Sequence, residues 1–165
     1  MVVLTFAQLA AACNTSKDGS VFYSSFLNDA LKVLYYTGCR PVELLDSSRW
    51  AIDNFGEITL QPAKNNLPRV IPAAPWPVDF VKWIQFGSSA FSLVTYSKIK
   101  NLHEKVWPYP QCYVLNKAID PYVYRHHYVQ KLANDGMTLP QIVAAMGWRS
   151  DQVANRYINS SVYYF

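Results

Sequence analysis

The chain is poor in residues that would staple it, hold a metal or bind a nucleotide. Its three cysteines, Cys13, Cys39 and Cys112, are odd in number and widely spaced, with no C-x-x-C pair. That argues against a disulfide framework and a zinc site, and favours reduced thiols in an intracellular setting. No apolar run reaches the roughly 18 residues that a membrane span needs. A Walker-type glycine loop is also missing. The opening MVVLTFAQLAAAC lacks the positively charged start of a signal peptide, so a short amphipathic helix over residues 5–12 is expected. Charged residues are sparse at 16% against 51% hydrophobic, which indicates a globular chain and not a disordered one. What is present is enough length, 165 residues, for one full core but hardly for two domains. The net charge of +4 permits a nucleic-acid partner without demanding one.

Periodicity and turn residues order the chain. Leu27, Leu31, Leu34 and Tyr35 recur at helical spacing, predicting an amphipathic helix over 21–36 that Gly38 can end. Pro41 suits a first helical position, so PVELLDSS opens another helix. In GEITLQPAKNNLPRVIPA the period changes to two, and a turn with Lys64, Asn65 and Asn66 predicts a small β-hairpin with short, edge-like strands. Further helices are expected over 78–85 and 89–104, followed by a proline-broken connection, VWPYPQCYVLNKAI. Asp120 and Pro121 form a cap and first-turn proline for the next helix. Thr138 and Gln141 have capping-box spacing, Gly147 is a stop, and Ser150 can cap a last helix carrying Tyr157. The fold class expected is mainly α with a small antiparallel β-hairpin or sheet (α+β), without internal repeats.

Several polar residues stand where chemistry could use them. Arg40 lies at the mouth of a helix, where free N–H groups favour an anion and a guanidinium adds a bidentate fork. A surface pair with Glu43 is the plainer alternative. Lys64, at the hairpin tip, could protonate a leaving oxygen or simply be a solvated turn lysine. Tyr122 and Arg125 are three apart at a helix start, and Arg125 shares a face with Val129. An inward arginine there needs an anionic partner. His126 and His127 are adjacent, point about 100° apart and cannot chelate one metal together. Tyr157 could be core, or a nucleophile towards phosphorus.

The segments LTFAQL, TGCRPVEL, a hairpin lysine, YVYRHH, MGW and NRY occur in that order along nearly the whole chain. In order and spacing they resemble the tyrosine recombinases, the phage-integrase-type enzymes. The resemblance implies the catalytic-domain fold of that family and a phosphate held by Arg40 and Arg125. It implies a supporting acid in Glu43, a general acid in Lys64, Trp148 at the family's histidine-or-tryptophan position, and Tyr157 as nucleophile. Tyr122 stands where the family has the histidine of H-x-x-R, and His126 matches a histidine that often follows the arginine in a structural role. The implied reaction cleaves and rejoins DNA through a 3′-phosphotyrosyl link, with no metal and no cofactor. The implied partners are double-stranded DNA and further copies of the chain, assembled as a tetramer on DNA, with no membrane. The implied setting is a mobile element or virus, inside the cell with the host DNA. Residues 1–165 would be the catalytic domain, a fragment lacking the N-terminal DNA-clamping domain. Two rivals stand beside this. TLPQIVAAMGWRSDQVANRY also resembles a helix-turn-helix DNA-binding segment, and a type IB topoisomerase would share the chemistry.

Overall fold

The computed structural model describes residues 5–7, 25–64, 66–95, 112–114, 122–159 and 162–164. The first full helix, α1, spans Ser25–Thr37, and buries Ala30, Leu31, Val33 and Leu34 in the main core. Each of the larger aliphatic side chains contributes about 1.5–3 kcal/mol by leaving water. Gly38 ends the helix at φ +62°, and a Cβ there would come 2.5 Å from the Tyr128 ring. Only glycine meets both conditions. Residues 21–24 of the expected helix, and most of 5–12, lie outside the described residues; Phe6 and Ala7 are helical.

Pro41 does open a helix, but a five-residue 3-10 helix, Pro41–Leu45. The chain then forms a three-stranded antiparallel sheet in the order β1 (Trp50–Ile52), β2 (Ile58–Leu60), β3 (Arg69–Ile71). The expected hairpin is β2–β3, with Leu60 opposite Arg69 and Ile58 opposite Ile71. Strand β1 was not anticipated, because three residues carry too little alternation to register as a strand. Trp50, Ile58, Leu60 and Ile71 turn inward, and α2 (Val78–Phe86) closes this side with Phe80 and Trp83.

Of the helix expected over 89–104, only the described start, residues 89–95, is corrected. Its start is a single 3-10 turn, Ala90–Leu93, capped by Ser89 and anchored by buried Phe91, and the backbone is extended at Val94. Residues 96–104 lie outside the described residues. The proline-broken connection contains a strand, β4 (Cys112–Val114). It pairs antiparallel with β5 (Val162–Tyr164) at the far end of the chain. Asp120 and Pro121, the expected cap, lie outside the described residues.

The remaining helices are α3 (Tyr122–Asn134), α4 (Leu139–Met146) and α5 (Asp151–Asn159). The capping box of α4 forms as expected: Thr138 Oγ1 accepts from the Gln141 N–H at 3.4 Å, and Gln141 Oε1 from the Thr138 N–H at 2.8 Å. Gly147 ends α4 at φ +68°. Val129, Ile142, Met146, Trp148 and Ala154 make a second, smaller core, against which Tyr157 packs. Helix α3 packs against both α1 and α5, so one of its faces looks into each core. Among the described residues, no helix is long and apolar enough to cross a membrane.

Candidate active site

The segment Thr37–Arg40 holds two arginines from distant parts of the chain and contributes a third. The last carbonyls of a helix have no intrahelical partner and carry the negative end of its dipole. At the end of α1 two guanidiniums satisfy them. Arg69 donates through Nη2 to the Thr37 carbonyl at 2.6 Å, and Arg125 through Nη1 to the Gly38 carbonyl at 2.6 Å. The Thr37 hydroxyl locks the turn, donating to the Val33 carbonyl at 2.6 Å and accepting from the Cys39 N–H at 3.1 Å. Cys39 is fully buried, and burial pushes its thiol up to about 12, so it stays protonated.

Arg40 caps the 3-10 helix, but the expectation of free N–H groups at a helix mouth does not hold. Its N–H donates to Glu43 Oε1 at 2.7 Å, and the helix is too short to sustain much dipole. What Arg40 offers an anion is its side chain. Glu43 is 2% exposed, and its second oxygen accepts from the Ala63 N–H at 3.2 Å. One carboxylate thus ties the Arg40 backbone to the β2–β3 loop next to Lys64. The alternative of a surface pair between the Arg40 and Glu43 side chains gives way to this buried anchor. The Asn66 amide, with its oxygen turned towards Arg40 to satisfy the hydrogen bonds, accepts from Nη2 at 2.9 Å and Nη1 at 3.1 Å. Lys64 is exposed on the same loop. The loop is pinned by the Leu67 N–H, which donates to the Gly147 carbonyl at 2.7 Å.

Arg125 is 3% exposed and faces inward, as its spacing to Val129 predicts. Its Nε donates to the Tyr157 hydroxyl at 3.2 Å. The guanidinium carbon also lies 5.7 Å from the Trp148 ring and 5.8 Å from the Tyr157 ring, within cation–π range. Trp148 and Tyr157 stack at 5.2 Å, and His126 lies 4.3 Å from the Tyr157 ring. The indole N–H of Trp148 is buried without a hydrogen-bond partner among the described residues. An orphaned buried donor is costly, and a ligand oxygen would satisfy it. Burial, and then the Arg125 charge, push His126 down to about 4, so its imidazole is neutral near pH 7. His127 turns away and stacks on Tyr35 at 5.4 Å, consistent with adjacent histidines diverging. Tyr122 is the first residue of α3, and its side chain lies outside the described residues.

Arg40, Arg69 and Arg125 line one polar cleft, with Glu43 and Asn66 on its wall. The fold therefore gathers Arg40, Glu43, Arg125, Trp148 and Tyr157 from four separate segments, with Lys64 on the loop above. Sequence reasoning missed Asn66 and Arg69. Arg69 had a readable signal: it alternates with Ile71 and so shares the inward face of β3.

No family model and no curated protein matches this chain. Solved structures share its fold. The Tn1549 transposon integrase in complex with transposon right end DNA superposes with a TM-score of 0.55 at 18% identity, over 94% of this chain and 61% of that one. XerH site-specific recombinase in its post-cleavage complex with palindromic difH substrate gives 0.54 at 16% identity, over 83% and 44%. A TelA protelomerase variant covalently complexed with substrate DNA gives 0.51 at 15% identity, over 81% and 52%. The chain has the tyrosine recombinase catalytic-domain fold. It spans between 44% and 61% of the length of these three chains.

Proposed function

We propose that this chain is the catalytic domain of a DNA strand transferase that cleaves and rejoins duplex DNA through a 3′-phosphotyrosyl intermediate, without metal or cofactor. The observation that carries the reading is the 3.2 Å hydrogen bond from Arg125 Nε to the Tyr157 hydroxyl beside the cleft lined by Arg40 and Arg125. A nucleophile, and two forked cations suited to a phosphate, meet in one place.

In this reading a scissile phosphate enters the cleft and displaces Asn66 from Arg40. Arg40 and Arg125 hold its non-bridging oxygens, and the orphaned Trp148 N–H supplies a third donor. Tyr157 gives its proton to solvent water as its oxygen bonds to phosphorus, the bond to the 5′ oxygen breaks, and Lys64 protonates that oxygen and regains its proton from solvent. Donors fixed before the reaction stabilise the charge that grows on the phosphorane. Glu43 acts by anchoring Arg40 and the lysine loop together. His126, neutral and packed on the Tyr157 ring, orients the nucleophile, and Tyr122 donates a hydrogen bond in place of the family's histidine. The partner is double-stranded DNA, on which copies of the chain assemble as a tetramer, inside the cell with the host DNA. Integration or excision of a mobile or viral element is the setting this chemistry suits.

The helix-turn-helix alternative is weaker, because α5 directs Tyr157 inward to Arg125 rather than outward to a groove. The test is covalent trapping on a nicked duplex, where the short 5′ product diffuses away and the adduct accumulates. The parent chain gives an adduct and Tyr157→Phe gives none, while both bind the duplex alike. An adduct from Tyr157→Phe would refute the assignment. Relaxation of supercoils without exchange between paired sites would reassign the chain to the topoisomerase alternative.

A further inference from the structure

Arg69 has no role in the reaction as proposed, yet it occupies an expensive position. It is the first residue of β3, opposite Leu60 and on the same inward face as Ile71, and it is 6% exposed. Nη2 holds the Thr37 carbonyl, but Nη1 is buried with no hydrogen-bond partner among the described residues. The guanidinium carbon lies 5.9 Å from the Tyr128 ring. Burial pushes this guanidinium down from the usual arginine range; the Tyr128 phenol offsets part of that, and the neighbouring Arg125 charge adds to it. A leucine would fill such a position without the desolvation of a buried cation that faces no carboxylate directly.

The cleft's charge shows what an arginine adds. Among the residues lining the cleft, Arg40, Arg69 and Arg125 face one carboxylate, Glu43; with the Lys64 charge assigned to the leaving oxygen, three positive charges against one negative leave two uncompensated. Both oxygens of Glu43 are already engaged by backbone N–H groups. A phosphodiester brings one negative charge. When a phenolic oxygen adds to phosphorus and its proton departs, both non-bridging oxygens of the phosphorane are charged, giving two. The cleft is overcharged for the substrate and balanced for the transition state, the condition under which electrostatics accelerate a reaction.

We propose that Arg69 is a positioning residue of the cleavage step, which sets the charge behind Arg40 and Arg125 to match the doubly negative phosphorane. The inference rests on the strand-transfer reading above. Arg69 touches no DNA; it acts through its field and through the Thr37 carbonyl that shares a turn with the Arg125 contact.

The experiment compares parent, Arg69→Gln and Arg69→Lys in single-turnover cleavage of a nicked duplex. Affinity for the uncleaved duplex and melting temperature are read alongside. Arg69→Gln should slow cleavage roughly 10- to 100-fold, as expected for one unit charge acting on one developing charge across a partly screened site. Its DNA affinity should hold, and Arg69→Lys, which keeps the charge and loses the fork, should restore most of the rate. An Arg69→Gln rate equal to the parent's overturns the proposal. So does Arg69→Lys as slow as Arg69→Gln, the mark of a purely structural role. If Arg69→Gln fails to fold, Arg69→Lys decides: a near-parent rate supports the proposal, and a loss of roughly 10-fold or more overturns it. No adduct from the parent would refute the strand-transfer reading itself, and this inference with it.

Discussion

Replacing Gly147 by alanine tests how the helical half of the site is joined to the β2–β3 loop. Gly147 sits at φ +68°, and a Cβ there would lie 2.2 Å from the Leu67 carbonyl oxygen, which is backbone and cannot swing aside. The left-handed conformation alone costs about 1–2 kcal/mol for alanine. Moving Leu67 away also breaks the bond from its N–H to the Gly147 carbonyl, about 1 kcal/mol net. The sum is about 2–3 kcal/mol. Gly136 provides the control, since it has φ +91° with nothing within 4 Å of the added Cβ. Gly136→Ala should lose only the conformational part. Urea denaturation of the two variants should separate them by at least about 1 kcal/mol. Because the displaced loop carries Lys64 and Asn66, Gly147→Ala should also cleave more slowly at temperatures where it is folded. Equal stability losses in the two variants would refute the close-approach argument.

Glu43→Gln keeps the shape but turns one acceptor into a donor facing a backbone N–H, so about 2 kcal/mol of stability should go. A loss below about 0.5 kcal/mol in denaturant titration would contradict the anchoring role. If Lys64 is the acid, Lys64→Ala should cleave ordinary DNA slowly and recover on a 5′-bridging phosphorothiolate, whose sulfur leaves without protonation. No recovery would assign Lys64 to binding. His126 and His127 are both pushed down to about 4 in the folded chain, from 6.5. The unfolded chain therefore takes up their protons first, and stability from these groups is full above about pH 6.5 and falls as the pH drops towards 4. Replacing either by phenylalanine should flatten that acid slope in melting temperature; an unchanged slope would contradict the burial argument.

Sequence features that act locally were legible. The Thr138 capping box, the stops at Gly38 and Gly147 and the period-two hairpin each depend on a few neighbouring residues. Arg40, Arg125, Trp148 and Tyr157 were singled out by their order along the chain, since no one of them carries a signal alone, and the fold brings them near one another. Features made by distant pairing were not. Strands β1, β4 and β5 are three residues each and exist only through their partners. The stretch directly after Ser89 has helical composition, yet Phe91 is drawn into the core, residues 90–93 form a single 3-10 turn and Val94 is extended. At Arg40 the N–H expected to be free is held by Glu43, and it is the side chain that faces the cleft.

The central claim is that Tyr157 and the Arg40–Arg125 cleft act on one phosphate. Peptide mapping of the trapped protein–DNA adduct, after nuclease digestion, tests it most directly. A single nucleotide-modified peptide is expected, with the modification on Tyr157, joined to the 3′ end of the cleaved strand. Modification of any other tyrosine, or a link to a 5′ end, would contradict it.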